Sequence, residues 1–119
     1  MLSMEQYKST IESEFTQRTA LTPKNASLEL KKTVIEIIAL LDSGKLRVAE
    51  KINGIWHTHQ WLKKAILLSF LIFENELIDA GFTRFYDKVP LKFQDQNEAA
   101  LKAMGVRVVP TAMVRKGAY

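Results

Sequence analysis

A small, mainly helical α+β domain with a β-hairpin is the fold class that the residue pattern predicts. Three features carry that expectation. Apolar residues recur at helical spacing twice in the first half, as Tyr7, Ile11 and Phe15, then as Leu30, Val34, Ile37, Ile38 and Leu41. Residues 46–52 alternate and run into Asn53-Gly54, the strongest short hairpin signal, because both central residues of a type I′ turn need positive φ. The hairpin then leads into AILLSFLIF, an apolar stretch with neither Pro nor Gly. At 119 residues the chain is one domain by length. A domain of this size buries roughly 65% of the surface its unfolded chain exposes, so a core forms without staples.

Each element has a local reason. Ser3 and Gln6 have capping-box spacing, which starts the first helix; the apolar stripe carries it to about Thr19. Thr22-Pro23 opens a new element or turn, since proline suits a first helical position. A second helix runs from about Ser27 and stops at Gly44, because glycine tolerates the left-handed conformation past a helix end. In the strand over 46–52, Leu46, Val48, Glu50 and Ile52 share one face. A two-residue loop sets the register, so that Ile52 faces Ile55, Lys51 faces Trp56 and Glu50 faces His57.

The segment from His59 to Phe70 predicts a third helix. Trp61, Leu62, Ala65, Ile66 and Leu68 cover one broad face, while Leu67 and Phe70 fall near Lys63 and Lys64 on the other. A helix this apolar all round needs cover on more than one side. Beyond Phe73 the pattern weakens. Glu74-Asn75-Glu76 reads as a turn, and residues 82–93 are aromatic and partly alternating, with Pro90 demoting their end from a central strand. Asp95 to Glu98 repeats the capping-box spacing ahead of a short helix that stops at Gly105. Residues 106–109 read as a strand broken by Pro110.

Composition excludes several chemistries. With no cysteine, the chain holds no disulfide, thiolate zinc site or cysteine nucleophile, which fits a cytoplasmic home. Its amino terminus has no apolar h-region, so no secretory signal is expected. The longest apolar stretch, AILLSFLIF, falls well short of the roughly 20 residues a membrane span needs. The +4 net charge is spread along the chain without a basic run or nucleic-acid motif, so no nucleic-acid partner is expected.

The candidate sites are few. His57 and His59 lie on one face of a strand, but a catalytic zinc needs a third protein ligand and none has suitable spacing, so no metal is expected. Glu50 opposite His57 explains the pair more simply. No nucleophile elbow, P-loop or dinucleotide fingerprint is present. Trp56 and Trp61 read as hairpin and core packing. Arg107, within Val106-Arg107-Val108-Val109, is either a solvated strand arginine or a planar fork for a carboxylate.

Taken together, LLDSGKLRVAEKINGIWHTHQWLKKAILLSF, RFYDKVPLKF and GVRVVPTAMVRKGAY resemble the amino-terminal region of the tetrahydrodipicolinate N-succinyltransferases. The resemblance is clearest from residue 40 to 119; the first 40 residues fit in pattern. It implies a homotrimeric, cytoplasmic acyltransferase of diaminopimelate and lysine synthesis that moves a succinyl group from succinyl-CoA to tetrahydrodipicolinate. It also implies a division into an amino-terminal helical and hairpin domain, 1–105, and a lead-in, 106–119, to a left-handed parallel β-helix that this chain does not contain. Arg107 occupies the position of the family's substrate-binding arginine. The acidic catalytic residue and the CoA cleft belong beyond Tyr119, so no catalytic or cofactor-binding residue is expected in this chain and the isolated chain is expected to be inactive. One departure is Thr111, where the family commonly has a second proline. A stand-alone interaction or oligomerisation module, using the apolar helix, is the alternative.

Overall fold

A computed structural model describes residues 2–119. Among them, helix α1 (Met4–Phe15) leads through a 3-10 turn (Arg18–Ala20) to α2 (Leu28–Asp42). The hairpin of β1 (Ala49–Ile52) and β2 (Ile55–Thr58) follows, then α3 (Gln60–Ile72), a second hairpin of β3 (Glu76–Asp79) and β4 (Arg84–Asp87), and α4 (Glu98–Met104). The small α+β class is as expected, with one hairpin more.

The three long helices pack on one another, and their apolar stripes meet in one core. Tyr7 and Ile11 come from α1, Leu30, Val34, Ile37 and Leu41 from α2, and Trp61, Leu62, Ala65, Leu68 and Ile72 from α3. Their removal from water is the main driving force holding the helices together. The Tyr7 hydroxyl enters this core with a partner, donating to Glu36 Oε2 at 2.7 Å.

The capping box of α1 is complete. Ser3 Oγ accepts from the Gln6 amide at 3.2 Å, and Gln6 Oε1 accepts from the Ser3 amide at 2.8 Å. The helix ends at Phe15, short of Thr19, because side chains take its last carbonyls: the Thr16 hydroxyl that of Ser13 and the Arg18 guanidinium that of Phe15. Thr22-Pro23 proves to be a turn, with Thr22 and Asn25 each bonding the other's amide; α2 begins only after Ser27, whose Oγ accepts from the Leu30 amide.

The first hairpin has the expected register, with Ile52 opposite Ile55, Lys51 opposite Trp56 and Glu50 opposite His57. Asn53 (φ 50°) and Gly54 (φ 81°) both take positive φ. Its first strand is shorter than the alternation predicts. Leu46 and Val48 turn onto the helical core instead, where the Leu46 amide reaches the Leu40 carbonyl. The polar pair also shifts: the Glu50 carboxylate bonds His59 Nε2 at 2.9 Å, not His57, because the chain bends into α3 at His59 and brings that ring over the strand.

The β3–β4 hairpin replaces the expected turn at Glu74–Glu76. It pairs Leu77 with Tyr86 and Ile78 with Phe85, but only Ile78 is buried, which is why its burial pattern left so weak a trace. Helix α4 is capped by Asn97 rather than Asp95 and ends at Gly105 (φ 68°), as expected; none of its residues is buried. Residues 106–109 are not a strand. Val106, Val108 and Val109 are exposed and find no partner strand, and the β pairing in this region is a single isolated bridge of Leu91 to Arg115. The radius of gyration is 16.0 Å, against roughly 13–14 Å for a compact chain of this length. The excess reflects the hairpins and the 93–113 excursion standing off the helical body. Among the described residues, no helix is long and apolar enough to cross a membrane.

Candidate functional site

The excursion over 93–113 carries Arg107. Its ends are joined by two main-chain hydrogen bonds, from the Lys92 amide to the Val114 carbonyl and from the Lys116 amide to the Pro90 carbonyl, both 2.8 Å. Between them the chain climbs α4, turns at Gly105 and returns through a loop whose internal bond runs from the Ala112 amide to the Val109 carbonyl. Arg107 is exposed on this loop, and its guanidinium has no ion-pair or hydrogen-bond partner among the described residues. A guanidinium presents five donors in a planar fork, and here that fork is open to an external carboxylate.

Beneath the excursion, the end of α2 gathers three separate parts of the chain. Lys92 Nζ donates to the Asp42 carbonyl (2.7 Å), to Asp42 Oδ1 (2.9 Å) and to the Ala118 carbonyl (2.6 Å). The Gly117 amide donates to the same Asp42 oxygen at 2.8 Å. Burial pushes the Asp42 carboxyl up, but the Gly117 amide and the Lys92 ammonium outweigh it and hold the group below the usual carboxylate range. The Tyr119 ring lies on Gly44, with the Arg47 guanidinium 5.1 Å from its centroid. At the bridge itself, Arg115 pairs with Asp87 at 2.9 Å. The Lys88 amide has the largest effect and holds Asp87 below the usual carboxylate range; burial opposes it, and the Arg115 guanidinium adds to the lowering.

The other candidates are not brought to this place. His57 is exposed on its hairpin, and His59 is engaged by Glu50. Among the described residues, no group of three His, Asp or Glu side chains could hold a metal. Trp61 is in the core, whereas Trp56 stands exposed opposite Lys51. The second side of α3 is covered in part: Lys88 bonds the Phe70 carbonyl and Arg115 lies 5.9 Å from the Phe70 ring, while Leu67 remains half exposed. Asp42 and Lys92 were not singled out in the sequence. They lie fifty residues apart in chain positions with no shared spacing signal; Gly44 announced only a helix end.

These elements define a small α+β domain that presents one unpartnered arginine on a tethered loop. The family model for the amino-terminal part of tetrahydrodipicolinate N-succinyltransferase matches residues 6–72, more than half of the chain. Proteins named 2,3,4,5-tetrahydropyridine-2,6-dicarboxylate N-succinyltransferase are similar over nearly all of it. Those of Erwinia tasmaniensis and Edwardsiella ictaluri are 55% and 56% identical over 116 residues, and that of Nitrosospira multiformis 52%. The chain belongs to the tetrahydrodipicolinate N-succinyltransferase family. The matched stretch covers 98% of this chain and 42% of each of these relatives. Likeness therefore extends through α1 and α2, beyond the stretch from residue 40 where the motifs are plainest.

Proposed function

We propose that these residues serve an N-succinyltransferase that moves the succinyl group of succinyl-CoA to the nitrogen of tetrahydrodipicolinate, in the synthesis of diaminopimelate and lysine. Water adds to the substrate's ring C=N bond to give a nitrogen that bears hydrogen; the transfer then breaks the donor's carbonyl–sulfur bond and forms a carbonyl–nitrogen bond, and CoA leaves as the thiol with the proton that the nitrogen gives up. The observation that carries this reading is the 55% identity over 116 residues to proteins bearing that name. Residues 1–105 act as a helical and hairpin domain, and residues 106–119 as the lead-in to a left-handed β-helix. The working enzyme is a cytoplasmic homotrimer whose catalytic acid and CoA cleft lie in the part of its relatives that this chain does not span. The 119-residue chain is inactive by itself.

Arg107 binds a carboxylate of the dicarboxylic substrate. Its exposure and lack of an internal partner support this role. A charge-assisted, forked contact contributes about 1.5–3 kcal/mol. In the longer enzyme, Arg107→Ala therefore raises the substrate KM roughly tenfold to hundredfold by the same magnitude. An unchanged KM overturns the assignment, and acyl transfer by the purified 119-residue chain overturns its inactivity.

A second reading, a self-associating module without catalysis, draws on half-exposed Leu67 of the apolar α3. Sedimentation of the isolated chain separates the two: a Leu67→Glu change that dissolves a stable oligomer favours the module.

A further inference from the structure

We propose that the α2–β1 junction is a latch for residues 115–119, and that Asp42 and Lys92 are positioning residues that hold the Arg107 loop in place. The latch is inferred from geometry alone; its bearing on substrate binding rests on the role of Arg107 proposed above.

The excursion has little else to hold it. Helix α4 buries no residue, and the loop after it is exposed. Its side-chain tie to the rest of the molecule is a long contact of 3.4 Å from Gln94 to the Asp79 carbonyl. The placement of Arg107 is therefore decided where the chain leaves at Lys92 and returns at Val114. Both ends meet at one ammonium group. Lys92 has three N–H donors, and all three are used: on the last carbonyl of α2, on the Asp42 carboxylate and on the Ala118 carbonyl.

Each contact has an independent physical reason. The final carbonyls of a helix lack intrahelical partners and carry the negative end of its dipole, so a cation there is favoured. The Lys92 and Asp42 side chains are only 18% and 25% exposed, so their attraction is less screened than that of a surface pair. Asp42 then uses the same carboxylate oxygen to fix the Gly117 amide, which ties the returning segment to the helix that Lys92 on the outgoing segment also holds. Gly44, with no Cβ, lets the Tyr119 ring close the seat; a Cβ there would stand 2.6 Å from ring carbon atoms.

Amide hydrogen exchange on the 119-residue chain tests the latch without reference to activity. Lys92→Met keeps the aliphatic stem and removes the three donors, and Asp42→Ala removes the acceptor. In both variants the Lys116 and Gly117 amides should exchange at least about tenfold faster, while the Leu62 and Leu68 amides stay within about twofold of wild type, as for local opening. Lys92→Arg should retain most of the protection. Unchanged exchange at Gly117 in both variants overturns the latch.

In the longer enzyme, Lys92→Met should raise the dicarboxylate KM by less than Arg107→Ala does, with kcat nearly unchanged. A latch that opens without moving KM, while Arg107→Ala does move it, overturns the positioning role. A latch that opens while Arg107→Ala leaves KM unchanged overturns the role of Arg107 and leaves the latch standing.

Discussion

The helical half of this chain and its carboxy-terminal half are ordered by different forces. From α1 to α3, order comes from a shared apolar core to which each helix contributes a stripe. From residue 74 onward only Ile78 is buried, and order comes from one hydrogen-bonded hairpin, one isolated β-bridge, an asparagine cap and a lysine that gathers three oxygen atoms. Burial is cumulative and tolerant of local change. A polar latch concentrates its effect in two or three atoms, so a single substitution can release a whole segment while the body stays folded. That division puts the apolar core under the helical body and the polar latch under the loop that carries Arg107.

The contrast is broken most severely from the core side. Leu68 is fully buried, so Leu68→Ala should cost about 2–5 kcal/mol, read as the shift in a chemical denaturation curve. Next comes the glycine at the seam between the two halves. Gly44→Ala forces a side chain onto a φ of +75°, which costs about 1–2 kcal/mol. The added Cβ would also stand 2.6 Å from carbon atoms of the Tyr119 ring, which must shift to admit it. The ring's displacement should appear as a change in Tyr119 side-chain chemical shifts.

Titration separates the halves further. The Tyr7 hydroxyl is held above its ordinary pKa, first by its bond to Glu36, then by burial and the nearby charge. Its contribution is fully present below the unfolded value near 10 and is lost as pH rises through the higher folded one. Tyr7→Phe should cost about 1 kcal/mol at neutral pH and flatten the alkaline fall in stability. Asp42 works in the opposite direction. Its folded pKa lies below the unfolded value of about 3.9, so its contribution is present above that value and is lost as pH falls through the folded one. Asp42→Asn should flatten the acid limb of the stability profile, and a variant with the wild-type acid slope contradicts the latch chemistry. The smallest effect belongs to Arg115→Ala. The Arg115 and Asp87 side chains are 52% and 43% exposed, so solvent screens the pair and thermal melts of this variant and the wild type should superimpose.

How far the fold was legible follows the same division. The stripes of α1, α2 and α3 can be read because burial imposes a 3.6-residue period, and the Asn53-Gly54 turn because positive φ restricts residue choice. The second hairpin was not read, since a pair of strands with one buried side chain leaves almost no alternation. Residues 106–109 misled for the converse reason: β-branched residues alternate there, but strand formation needs a partner ladder, and Pro90–Lys92 pairs with Val114–Lys116 instead. Asp95 was passed over as a cap because Asn97 places its side-chain oxygen on the Ala100 amide. Arg107 stood out only through its motif, as one arginine among many basic residues carries no spacing signal. The Asp42–Lys92 latch left none either, because ion pairs distant in sequence are created by the fold.

Amide hydrogen exchange over the whole wild-type chain tests the two-part account most directly. Core amides of α2 and α3 should open only with global unfolding, the Lys92, Lys116 and Gly117 amides should show intermediate protection, and the loop around Arg107 should exchange nearly as an unfolded chain does. Uniform protection from α1 through residue 119, with the Arg107 loop as slow as Leu62, would contradict it.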